Sequence, residues 1–298
     1  MLFVAAACLT VVSYAGQPAK HAPFSKVVVF GDSLSDTGNL FAATGGAIPP
    51  SPAYVNGHFS NGLVWVEYLA DRLGMAMDNY AFGGACTGRD SYVSFKYGIP
   101  GLPGLQDEIV MFAAEAGGRA DPRALYIVQA GANDVFLWAE SGMPTPLADF
   151  AAQVAGNIST AVKRLRLMGA RDILVVDIAD IGLTPYGLAS GYSTLLSGIT
   201  ETLNAAVAAK LRGSRHCPGP QADVFSMFTT LRAIAAAPAE FGFADSTNPY
   251  LEVLAGDPDS FLFWDDVHPT TAGQGVLADF AYERLEQLYP RLRHGKCR

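Results

Sequence analysis

Apolar positions along the chain fall into two patterns. The runs KVVVF at Lys26–Phe30, ALYIVQA at Ala124–Ala130 and DILVVDI at Asp172–Ile178 are short and show no two-residue alternation. Such runs predict strands covered on both faces. Met77–Phe82 and Ala222–Met227 read as two further strands. Other segments repeat apolar residues every three to four positions, as in Leu63, Val66, Leu69 and Leu73, with Gly74 as a natural stop. Helices are predicted over Leu63–Leu73, about Gln106–Ala116, Asp149–Met168 (stopped by Gly169), about Leu195–Leu211, and Thr270–Leu288. Gly38–Gly62 and Asp90–Gly104 are rich in turn-forming residues, lack periodicity and read as long loops.

Strands and helices therefore alternate from end to end. The expected fold class is α/β, a three-layer α/β/α sandwich around a parallel sheet. In such a sheet, functional residues belong at the carboxyl ends of strands. No repeat or linker interrupts the pattern, so residues 24–292 are expected to form one domain. Ahead of it, Leu2–Val12 is an apolar run followed by Ser13-Tyr14-Ala15, small at the two positions a signal peptidase reads. Residues 1–15 are read as a signal peptide and 16–23 as a disordered lead, which places the protein outside the cytoplasm, extracellular or periplasmic.

Composition narrows the function classes. The 298 residues are half hydrophobic, yet no stretch after the leader reaches the eighteen or so apolar residues of a membrane span. A net charge of −8 argues against nucleic acid as the main partner. If Cys8 leaves with the leader, Cys86, Cys217 and Cys297 remain, enough for one disulfide and one free thiol. No CxxC or histidine spacing resembles a metal site, so no metal is expected.

Four segments carry the chemistry: FGDSLSDTGN at Phe30–Asn39, NYAFGGA at Asn79–Ala85, GANDVF at Gly131–Phe136 and DDVHP at Asp265–Pro269. Ser33 follows a strand, where its hydroxyl can act as a nucleophile if a base lies within reach; alone, it would read as a helix cap. Of the five histidines, His268 is the best placed. Asp265, three residues earlier, can fold back to hold the other ring nitrogen. Asp266 is the rival carboxylate, with capping of the next helix as its other role. A negative oxygen formed by attack on a carbonyl needs pre-placed donors. The N–H groups of Ser33 and Gly84 and the side-chain amide of Asn133 suit that task. The bland alternatives are a positive-φ turn at Gly83-Gly84 and an Asx-turn at Asn133.

These four segments, in this order, resemble the GDSL esterase/lipase family of the SGNH hydrolase superfamily. FSNGLVWVEYLADRLG at Phe59–Gly74 and FLFWDDVHPT at Phe261–Thr270 are similar to its phospholipase, lecithinase, haemolysin and fungal acetylesterase branch. The resemblance implies a flavodoxin-like three-layer fold and a triad of Ser33, His268 and Asp265. It also implies an oxyanion hole of Ser33, Gly84 and Asn133, and no cofactor. The absence of G-x-S-x-G argues against the nucleophile elbow of the α/β-hydrolase fold.

The expected function is a secreted serine esterase acting on carboxylic esters, either lipid acyl esters or short-chain and acetyl esters, the latter including acetylated carbohydrate. The alternative is a catalytically inactive carbohydrate- or lipid-binding surface protein on the same fold. That reading predicts damage to Ser33, His268, Asp265 or Asn133, and all four residue types are present. The loop aromatics Tyr54, Phe59, Tyr92, Phe95 and Tyr97 fit an acyl channel, a sugar-stacking surface or simple loop packing.

Overall fold

The structure, a computed structural model, describes residues 23–213 and 222–292. The predicted leader and disordered lead, apart from Pro23, lie outside these residues. Five strands form one fully parallel sheet: β1 (Val27–Gly31), β2 (Met77–Asn79), β3 (Leu125–Gln129), β4 (Asp172–Val176) and β5 (Ala222–Phe225), in the order β2-β1-β3-β4-β5. Val29 lies beside Ile127, and Ile127 beside Leu174, so apolar rows run across the sheet.

The pleat sends those rows to opposite faces. Val28, Phe30, Tyr126, Val128, Ile173 and Val175 enter one core, shared with three helices: α4 (Leu105–Glu115), α6 (Leu147–Met168) and α8 (Ser193–Gly213). Val27, Val29, Leu125, Ile127, Leu174 and Val176 enter the other, shared with α2 (Trp65–Leu73), α9 (Met227–Ala236) and α11 (Thr271–Leu288). Both faces being buried explains why the strand sequences lack alternation. The result is a three-layer α/β/α sandwich. Among the described residues, no helix is long and apolar enough to cross a membrane.

Strand order reverses at β1: the chain passes outward to β2, then returns past β1 to β3. In open α/β sheets a crevice opens at that switch point, outside the carboxyl ends of the strands. Here β1 and β3 approach closely, and a Cβ on Gly31 would lie 2.4 Å from the carbonyl oxygen of Gln129. Only glycine fits there, and residues at the ends of both strands, Ser33 after β1 and Gln129 and Asn133 from β3 onward, line one crevice.

The two expected loops contain helices. α1 (Asn39–Ala43) forms because the buried Asp36 carboxylate accepts from the N–H groups of Gly38, Asn39 and Leu40 at 2.8, 2.6 and 3.1 Å. α3 (Tyr92–Tyr97) is capped by Ser91 and ends at Gly98, in the left-handed region. Helices of five or six residues are too short to show a period. The same reason hides α7 (Pro185–Ala189) and α10 (Tyr250–Val253). α5 (Ala132–Glu140) begins three residues after β3 with no polar break to mark it. The strand expected over Met77–Phe82 has only Met77–Asn79 in regular pairing, although Tyr80 and Phe82 still donate to the carbonyls of Val29 and Gly31. The reading also missed α9 and a small parallel pair, β6 (Asp245–Pro249) and β7 (Phe261–Phe263).

Candidate active site

β1 ends in a tight turn in which Ser35 and Asp36 both donate to the carbonyl of Asp32, and Ser33 stands at its crest. His268 arrives from the loop between β7 and α11. That loop closes on itself, since the N–H of Trp264 donates to the His268 carbonyl at 2.8 Å. Within it, Asp265 folds back. Its Oδ1 accepts from the N–H groups of Val267 and His268 at 2.9 and 2.7 Å, and His268 Nδ1 lies 2.7 Å from its Oδ2. On the far side of the ring, His268 Nε2 is 2.7 Å from Ser33 Oγ. Three side chains from opposite ends of the chain thus form one hydrogen-bonded line.

Burial pushes the Asp265 carboxyl up. The nearby His268 charge and the hydrogen bonds from His268, Val267 and Tyr54 outweigh it and hold the group below its ordinary value. Asp265 therefore stays a carboxylate. Asp266 is exposed and its side chain makes no hydrogen bond to the ring; its backbone carbonyl accepts from Tyr186 N–H. Capping is not its role either, because Thr270 caps α11 by accepting from Gly273 N–H.

The other two predicted donors meet at the same place. Gly84 has φ +82°, and a Cβ there would sit 2.5 Å from Val93 Cγ2 in α3. Its carbonyl accepts from Tyr92 N–H at 2.7 Å, fixing the turn. Asn133 occupies the first turn of α5, and one hydrogen of its amide goes to the Ala85 carbonyl at 3.2 Å. An amide nitrogen carries two hydrogens, so the second remains to meet a ligand. Ser33, Gly84, Asn133 and His268 all line one cavity of about 200 Å³. The rest of its wall is mostly apolar, including Ile48, Phe136, Ile178 and Ile181.

The loop aromatics divide. Phe59, Tyr92 and Tyr97 line this cavity, with the Phe59 ring 4.9 Å from that of His268. Phe95 is half exposed and faces a larger, more open groove on the other side of α3, which contains neither Ser33 nor His268. Tyr54 instead donates its phenol to Asp265 Oδ2 at 2.7 Å. No sequence signal pointed to that contact, which joins residues 211 positions apart.

Buried acids support the floor of the site. Asp32 accepts from Gln129 Nε2 and Leu34 N–H, and burial raises its carboxyl to about 6. Asp134 clasps Thr87 through the Thr87 N–H at 2.8 Å and the hydroxyl at 2.6 Å, and burial raises it to about 7. Glu108 ties the N–H of Gly31 to that of Phe82, joining the ends of β1 and the second motif. None of these three was singled out by the sequence.

The other histidines and the cysteines are placed as follows. His58 is buried, with Nδ1 2.8 Å from the Val55 carbonyl and Nε2 3.1 Å from Glu67. Cys86 is a buried free thiol. Cys8, Cys217, Cys297, His21, His216 and His294 lie outside the described residues. Among the described residues, no group of three or more His, Cys, Asp or Glu side chains could hold a metal ion.

Residues 27–281 match the family described as GDSL-like lipase/acylhydrolase. The chain is similar to the thermolabile hemolysin of Vibrio parahaemolyticus, at 28% identity over 89% of this chain and 64% of that protein. It is similar to the phosphatidylcholine-sterol acyltransferase of Aeromonas hydrophila, at 27% identity over 96% of each. Esterase EstA of Pseudomonas aeruginosa is 30% identical over 98% of this chain and 52% of its own length. The chain thus spans about half to two thirds of the hemolysin and of EstA.

Proposed function

The chain belongs to the GDSL-like lipase/acylhydrolase family and carries a carboxylic ester hydrolase domain; on that premise we propose that it is a serine esterase that works through an acyl-enzyme on Ser33. The observation that carries this reading is the line Asp265–His268–Ser33, with both contacts of the ring at 2.7 Å, at the edge of an apolar cavity. His268 Nε2 takes the Ser33 proton as Oγ attacks the ester carbonyl. Asp265 keeps the ring in the tautomer that leaves Nε2 free and stabilises the imidazolium that forms. The oxyanion is met by the N–H groups of Ser33 and Gly84 and the free amide hydrogen of Asn133. The imidazolium then protonates the departing alkoxide. Water, activated by the same histidine, releases the acid and restores Ser33.

The cavity suggests the acyl group. Its volume is about 200 Å³, and its wall is mostly apolar. That space suits short and medium acyl chains better than a long fatty acyl chain. We place its action outside the cytoplasm, on the strength of the Leu2–Val12 run and the small residues after it. A graded series of p-nitrophenyl esters, from acetate to palmitate, tests both enzyme and chain length. The expected result is turnover that peaks at a short or medium chain and vanishes in a folded Ser33→Ala variant. Turnover retained by Ser33→Ala overturns the mechanism, and a peak at palmitate overturns the chain-length reading.

A further inference from the structure

Asp265 has one hydrogen-bond donor that a serine–histidine–carboxylate relay does not require. Tyr54 lies in the segment between α1 and α2, and its phenol oxygen is 2.7 Å from Asp265 Oδ2, the oxygen that also faces His268 Nδ1. The other donors to Asp265, Val267 N–H and His268 N–H, both go to Oδ1. Apart from the histidine itself, Tyr54 is therefore the donor that holds Oδ2. The ring is set by packing: Tyr54 meets Phe59 edge-on at 6.2 Å, and Phe59 packs on His268 at 4.9 Å. Tyr54 and Phe59 thus brace the carboxylate and the imidazole from one side.

We propose that Tyr54 is a positioning residue of the ester-cleaving relay, fixing Asp265 Oδ2 beneath His268 Nδ1 and drawing off part of the carboxylate's charge. This rests on the reading of Ser33, His268 and Asp265 as the relay. Burial first, and then the negative charge of Asp265, raise the Tyr54 phenol above its ordinary value. It therefore remains protonated, and the hydroxyl is the donor. The bond has two consequences. It limits rotation of the carboxylate about its own side chain. It also lowers the negative charge that Oδ2 offers to the ring, so the imidazolium is held less tightly than it would be by a free carboxylate.

The sign of the effect follows. Without the phenol, Oδ2 attracts the imidazolium more strongly and His268 keeps its proton to higher pH. The acid limb of kcat/KM then moves upward, because the protonated ring cannot accept from Ser33. Other groups that bear on the relay stay in place: Asp32 beneath Ser33, and Asp266 beside Asp265, with Glu252 of α10 near Asp266 and Tyr97 of α3 near Tyr54.

The test is Tyr54→Phe, which keeps the ring on Phe59 and removes only the hydroxyl. Steady-state kinetics with p-nitrophenyl butyrate across pH 4.5–9 are compared for the wild type, Tyr54→Phe, Tyr54→Ala and Ser33→Ala, with thermal denaturation as the check of folding. The expected result is a folded Tyr54→Phe enzyme with kcat reduced about tenfold, KM within about twofold and the acid limb raised by about half a pH unit. Tyr54→Ala should show at least the same upward shift. A ring that merely packs would give the opposite: Phe restoring the wild-type profile and only Ala impairing it. An unmoved acid limb in folded Tyr54→Phe overturns the proposal. Turnover retained by Ser33→Ala would instead overturn the relay on which it rests.

Discussion

Changing Asp265 to Asn tests the relay at one atom. In the native site, Oδ1 of Asp265 accepts from two backbone N–H groups, at 2.9 and 2.7 Å, and lies 2.9 Å from His268 Nδ1, while Oδ2 is the nearer oxygen to Nδ1, at 2.7 Å, and accepts from the Tyr54 phenol. An asparagine must keep its oxygen against the two backbone donors, because its NH₂ cannot accept from them. The NH₂ is then forced into the place of Oδ2, facing Nδ1. Nδ1 becomes the acceptor, the ring proton moves to Nε2, and the nitrogen that should take the Ser33 proton already carries one. Restoring the working tautomer means breaking one hydrogen bond and setting two N–H groups against each other, about 2–4 kcal/mol. Loss of the carboxylate's charge beside the imidazolium adds about 1.5–3 kcal/mol. Together these, about 3.5–7 kcal/mol, give a kcat lower by roughly 300- to 10⁵-fold, with KM little changed because Asp265 does not line the cavity. Asp266→Asn is the control, since its side chain is exposed and makes no hydrogen bond to the ring, and activity should stay within about twofold. Steady-state kinetics on both variants, with thermal denaturation to verify folding, decide the matter. A fall of less than tenfold in folded Asp265→Asn, or a large one in Asp266→Asn, would refute the reasoning.

Two further outcomes are expected. Asn133→Ala should lower kcat by about a hundred- to a thousandfold, as one oxyanion donor is lost. It should cost only about 1 kcal/mol of stability for the bond to the Ala85 carbonyl; a steep rise in KM at unchanged kcat would make Asn133 a substrate-binding residue instead. Asp134 is raised from 3.8 to about 7 by burial, so the fold favours its neutral form. The stability it contributes is full below about pH 4 and is lost as pH rises through about 7, on the order of 4 kcal/mol. Asp134→Asn can still bond Thr87 and should flatten that slope; urea titrations at pH 4.5 and 7.5 read it, and equal slopes in variant and wild type would contradict the assignment.

What could be read from the chain was what depends on neighbours in sequence. VVVF and ILVV carry no alternation because both faces of β1 and β4 are buried, and that pattern alone gave a parallel sheet between helices. The fold-back of Asp265 onto His268 is a local turn closed by the N–H groups of Val267 and His268, so a spacing of three was enough to favour it over Asp266. Long helices were legible from their period, and Gly74 and Gly169 from their place at helix ends.

Other features needed the folded chain. Which strand lies beside which follows from contacts between distant segments, so the order β2-β1-β3-β4-β5, and with it the crevice between β1 and β3, had no sequence signature. The short helices α1 and α3 sit inside segments that read as loops. In α1 the first N–H groups are satisfied by Asp36, whose other anchor is Gly83 N–H, 47 residues away. Tyr54 reaches Asp265 across 211 positions, and the acidic floor of Asp32, Glu108 and Asp134 is assembled from three separate stretches. Sequence spacing fixes geometry only across a turn or along one helix face. Beyond that range, distance is set by packing, and packing alone brought these groups within hydrogen-bond reach.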